Sequence, residues 1–104
     1  MLIYISGPIT GHQDLNRPAF TDAARLLTEA GHEPVNPHDV KLDHTPTDPE
    51  ELWRAYMRAD LVLMLGCDGV ALLDGWCDSR GARIERKLAL DLGKPVRPLE
   101  GWLS

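Results

Sequence analysis

A chain of 104 residues, 43% hydrophobic and 26% charged, has the size and balance of one folded domain rather than a disordered segment. Roughly two-thirds of its unfolded surface can be buried at this length, so a core can form without disulfide or metal staples. Its net charge of −5 argues against a nucleic-acid polymer as partner, because that binding needs Lys and Arg to neutralise phosphates; a small anion held by backbone amides stays allowed.

In chain order, Leu2 to Ile5 is a short apolar run of β-formers and predicts a buried strand. Tyr4 shares a face of that strand with Leu2 and Ser6, where it either packs in the core or meets a ligand. The strand ends in the tight loop "SGPITG", in which Gly7, Pro8, Ile9, Thr10 and Gly11 either bring amides to a ligand or simply turn the chain. The loop has neither P-loop nor dinucleotide spacing. A helix is predicted from about Arg17, with Asn16 as N-cap and Pro18 in its first turn. Phe20, Ala23, Ala24, Leu27 and Ala30 carry its period and Gly31 stops it. "HEPVNP" is a brief second strand. His38, Asp39, Asp43 and His44 follow in a loop and read as surface polar residues rather than metal ligands.

"TPTDPEELWRAYMRADLVLML" opens with the capping-box pattern Thr47-x-x-Glu50 and predicts one long helix ending at Gly66. "LVLML" by itself would pass for a strand. "GVALL" is the third strand, a helix runs from about Ser79 to Gly93, and "KPVRPL" is the fourth strand. Alternation of strand and helix through the chain predicts an α/β fold: a small doubly wound parallel sheet of about four strands with helices on both faces, spanning residues 1–104 as one domain. Ligands in such sheets sit beyond the carboxyl ends of the strands, at the point where strand order switches. Here those ends are "SGPITG" and "DGWCDSRG".

Two acids break the pattern. On the last helix, Gly81, Ile84, Leu88 and Leu92 gather on one face and Glu85 projects among them. On the long helix, Asp60 lands within the stripe of Trp53, Met57, Leu61 and Met64. Either acid alone fits a helix edge paired with a nearby arginine. Two of them on successive helices around one sheet point to a shared polar pocket, since buried charges are kept when paired or used. Two carboxylates converging on a pocket suit cleavage at an anomeric carbon, one as nucleophile and the other positioning substrate or handling a proton. Nearby, Ser79 can cap its helix or hold a phosphate, and Trp76 can stack on a base or plug the sheet edge.

These blocks together, "IYISGPITG", "NRPAF", "YMRADLVLML", "CDGVALL" and "SRGARIE" followed by "LGKPV", resemble the nucleoside 2-deoxyribosyltransferase-like superfamily, and its short single-domain members most. The related 2'-deoxynucleoside 5'-monophosphate N-glycosidases allow comparison by residue. The resemblance implies Glu85 as nucleophile on C1' of a deoxyribose, one turn after Gly81. It implies Asp60, eight residues before Asp68, as the acid that orients the sugar and assists the leaving base. Tyr4 would hold Glu85 or the sugar, and Ser79 a phosphate. Thr10 stands where the monophosphate branch has an arginine. The implied partner is a small-molecule nucleoside or nucleotide, without cofactor or metal, and the implied assembly is a homo-oligomer whose pocket a neighbouring subunit completes. The alternative is a nucleotide-sensing module using the same pocket without chemistry. Cys67 and Cys77 form no CxxC, and "MLIYIS" is too short for a leader or a membrane span. A cytoplasmic setting with free thiols and no membrane is therefore expected.

Overall fold

The computed structural model describes all 104 residues, Met1 to Ser104. Four strands, β1 (Leu2–Ser6), β2 (Glu33–Val35), β3 (Gly69–Leu72) and β4 (Val96–Pro98), form one sheet in the order β2-β1-β3-β4. All three pairings are parallel, with Ile3 opposite Gly69, Ser6 opposite Leu72, Leu2 opposite Glu33 and Val70 opposite Val96. Three helices connect them: α1 (Arg17–Glu29), α2 (Pro49–Leu65) and α3 (Arg80–Asp91). The chain leaves β1 for one edge of the sheet, then crosses back to the other side. The switch point therefore lies between β1 and β3.

Alternation along the strands divides the core into two layers. Ile3, Ile5, Ala71 and Leu73 pack with Phe20, Ala23 and Leu27 of α1 and with Trp102 of the C-terminal turn. On the opposite face, Tyr4, Val70 and Leu72 pack with Met64, Cys67 and Ala89. One helix covers the first face, and α2 and α3 cover the second. That is the doubly wound parallel α/β architecture expected from strand-helix alternation. Residues 61–65, whose composition is equally that of a strand, are helical because the helix begun at Pro49 runs through them.

The helix ends depart from the sequence expectations in two places. Asp48, not Thr47, caps α2: its side chain accepts from the Glu51 backbone N–H at 3.0 Å, and Pro49 takes the first helical position. Asn16 stands at the N-cap of α1 but makes no capping bond, because its backbone is left-handed (φ 59°). Its side chain instead donates to the Pro8 carbonyl at 2.9 Å and ties the first loop to the helix start. Asp14 and Leu15 share that left-handed conformation (φ 53° and 52°). Ser79 does cap α3, accepting from Ala82 N–H at 3.2 Å. No helix is long and apolar enough to cross a membrane.

Candidate active site

At the carboxyl ends of β1 and β3 a cavity of about 790 Å³ opens between the first loop, the residues after β2, the start of α2 and the start of α3. Gly7 makes the close approach of the first loop possible: a Cβ there would lie 2.8 Å from Leu73 Cβ. Gly81 does the same on α3, where a Cβ would press on Met57 Sδ at 3.3 Å. Tyr4 and Ser6 point to one face of β1 because they are two residues apart. Glu85 and Asp60 project from the inward faces of α3 and α2.

Tyr4, Asp60 and Glu85 form the floor, and Ser6, buried outside the lining, joins them through Glu85. The Tyr4 hydroxyl donates to Glu85 Oε2 at 2.5 Å, and Ser6 Oγ donates to Oε1 at 2.7 Å. Glu85 is 5% exposed and Asp60 9%. Neither takes part in any ion pair of the molecule, so the arginine-paired edge residue is not what either acid is. One carboxyl oxygen of Asp60, Oδ1, is buried with no hydrogen-bond partner.

Electrostatics follow from that burial. Desolvation disfavours a buried carboxylate, and Asp60 is pushed up to about 8, first by burial and then by the charge of Glu85. Glu85 is raised to about 7 by burial, against the pull of the Tyr4 and Ser6 hydrogen bonds that favour its charged form. Tyr4 is raised well above its ordinary value by burial and by Glu85. Near neutral pH the pair therefore presents one protonated and one partly ionised carboxyl, the division of labour that acid-assisted nucleophilic chemistry needs.

A family model described as a domain of unknown function, DUF4406, matches residues 1–97. The chain belongs to the DUF4406 family. No curated protein matches this DUF4406 domain. Among solved structures it is similar to a 2-deoxyribosyltransferase of the psychrotolerant bacterium Bacillus psychrosaccharolyticus, with a TM-score of 0.70 and 22% identity. The match covers 92% of the DUF4406 chain and 69% of the other. At that identity the likeness is one of fold.

The cavity brings together Tyr4, Gly7, Pro8, Ile9, Thr10, Asp60, Ser79, Gly81 and Glu85 from the sequence-derived set. Three others lie outside its walls. Asp68 sits at the amino end of β3, at the far end of the sheet, where its carboxylate accepts from the Leu2 backbone N–H at 2.8 Å and helps to register the two central strands. Trp76 packs against the α3-side core with the Arg86 guanidinium 4.7 Å from its ring centroid. Gly11 turns the chain at φ 83° with open space around it.

Sequence reasoning missed Ser6, whose signal was its place two residues after Tyr4 at the carboxyl end of a central strand. It also gave no role in the site to Trp53, Tyr56, His38, Arg17, Lys41 and Arg80, all of which line the cavity. The Arg80 guanidinium lies 3.7 Å from the Trp53 ring centroid and pairs with Glu50 at 2.9 Å, clasping the starts of α2 and α3 together. No three His, Cys, Asp or Glu side chains converge on a metal position.

Proposed function

We propose that this domain cleaves or transfers the N-glycosidic bond of a 2'-deoxyribonucleoside or its 5'-monophosphate. The observation that carries the reading is the pair of buried acids without ionic partners, one hydroxyl-bound and one with a free oxygen, on the floor of a cavity at the switch point. The sequence resemblance and the shared fold with a protein named as a 2-deoxyribosyltransferase point the same way.

Glu85 attacks C1' with a carboxylate lone pair, and the C1'–N bond breaks with its electrons leaving on the base. Asp60, whose burial favours the protonated form, gives its proton to that base or binds the sugar. Water, or the nitrogen of a second base, then displaces Glu85 and restores the carboxylate. Tyr4 holds Glu85 on one oxygen. The first loop and Ser79, which line the cavity, would contact the sugar and any 5'-phosphate. Exposed apolar residues on α2 (Val62 at 69%, Leu65 at 49%) and just past the end of α3 (Leu92 at 52%) support assembly into a homo-oligomer.

The test is incubation with a panel of deoxyribonucleosides and monophosphates and detection of free base by chromatography. Glu85→Gln should fold, bind and lose at least about a thousandfold in rate, near 4 kcal/mol of barrier. Full activity in that variant rules out Glu85 as nucleophile. Retention of ligand without any product makes the domain a binding module instead.

A further inference from the structure

The Glu85 carboxylate is bonded on both oxygens, and the two donors are different in kind. Tyr4 reaches Oε2 from a rigid ring that is fully buried in the core. Ser6 reaches Oε1 from the last residue of β1, through a single rotatable bond. Ser6 is 1% exposed, and its hydroxyl makes no other hydrogen bond as donor. The strand backbone does not need it: the Ser6 carbonyl accepts from Leu73 N–H at 2.9 Å whatever the side chain.

We propose that Ser6 is a positioning residue for Glu85, holding its carboxylate in its charged form and in a fixed orientation at the cavity wall until attack. The assignment rests on the nucleophilic role given to Glu85 above. As the glycosyl ester forms, the attacking oxygen loses its negative charge and its hydroxyl donor turns away, while the other oxygen becomes the ester carbonyl and keeps its donor. Return of the carboxylate on displacement restores both bonds. The groups that face Glu85 are Tyr4 and Ser6 from β1 and the Asp60 carboxyl from α2, and none of them is cationic. Hydroxyl donors therefore supply all the direct stabilisation its charge receives from side chains.

The experiment uses the whole chain with Ser6→Ala, Ser6→Cys and Ser6→Thr. Glutamate labelled with carbon-13 at the carboxyl allows Glu85 to be titrated by NMR in the ligand-free protein, with Glu85→Gln identifying its signal. A hydrogen bond to a charged group is worth about one to two pH units, so Ser6→Ala should move the Glu85 midpoint upward by that amount. Ser6→Cys, nearly the same shape but a weak donor, should move it most of the way, and Ser6→Thr should restore it. In base release from a deoxyribonucleoside, the acid limb of the rate profile should shift by the same amount in the same variants. An unmoved midpoint in Ser6→Cys overturns the assignment. A moved midpoint in a protein that releases no base leaves Ser6 as the residue that sets Glu85's charge and overturns the nucleophilic role instead.

Discussion

Replacing Glu85 with glutamine separates what the acid costs from what it does. In the unfolded chain a glutamate titrates near 4.5, and in the fold burial raises Glu85 to about 7. The folded protein thus binds this proton more tightly than the unfolded chain does. Stability from the group is fully present below about 4.5 and is lost as pH rises through about 7. At ~1.36 kcal/mol per pH unit, the interval corresponds to roughly 3 kcal/mol. Glutamine is neutral throughout and can still pair with both hydroxyls, one of them turning to accept from its amide. The variant should match the parent near the acid end of that window and exceed it by roughly 3 kcal/mol at pH 8. For a domain of this size that is a rise on the order of 10 °C in Tm. The assay is urea or thermal unfolding of both proteins across pH 5 to about 8, the interval these shifts define. A slope from Asp60 persists in the variant, because burial raises that acid independently of Glu85. If the gap between the two proteins does not widen with pH, or the variant is the less stable at pH 8, the account of Glu85 as a buried, unpaired acid is wrong.

Four further outcomes are expected. Base release should follow a bell in pH, rising as Glu85 ionises near 7 and falling as Asp60 loses its proton near 8, with apparent values that belong to the pair; a flat profile across that range refutes the assignment of roles. Gly69→Ala should destabilise by about 1–3 kcal/mol in urea unfolding, because its Cβ would lie 2.6 Å from the Trp102 ring and 3.0 Å from the Pro95 carbonyl. Ser79→Ala should lower stability by about 1 kcal/mol through the lost cap, and should erase any preference for monophosphates over nucleosides in a binding titration. Light scattering at micromolar concentration should give a mass above that of one 104-residue chain, most simply a two-fold dimer.

The fold was legible because its signals are local and mutually consistent. Short β-rich runs, helical periods ending at Gly31, Gly66 and Gly93, and strict alternation leave few topologies. What escaped was set by contacts between distant parts of the chain. The cap of α2 falls at Asp48 because Pro49 takes the first helical position, a choice between adjacent polar residues that periodicity does not make. The left-handed turn at Asp14, Leu15 and Asn16 suits Asp and Asn but runs against the preference of Leu15, and the bond from Asn16 to Pro8 ties it down. Asp68 illustrates the limit for the site. A residue that precedes a parallel strand lies at its amino end, opposite the end where ligands bind, and there Asp68 serves the backbone of β1. Ser6 escaped for the reverse reason: one hydroxyl at a strand end carries no pattern until the helix bearing Glu85 is laid across it.

Asp60 does lie in a buried stripe, with Met57 and Met64. The stripe expected on α3 does not hold: Ile84 and Leu92 are exposed, and Glu85 shares the buried face with Ala82 and Ala89, whose small side chains leave room for the acid to reach β1. Both acids are desolvated without a cation to offset the loss, so each is a cost to the α3-side core in its charged form. Their hydrogen bonds do not repair this: Tyr4 and Ser6 stabilise the charged form of Glu85, yet burial still raises it, and Asp60 keeps one oxygen without a partner. A purely structural buried pair would be expected to complete its bonding within the protein. An acid that stays incomplete at the floor of a cavity has bonding capacity left for something that enters from outside. The same incompleteness that lowers stability therefore makes the pair usable, and the expected gain in stability on neutralising Glu85 and the expected loss of turnover are two readouts of one arrangement.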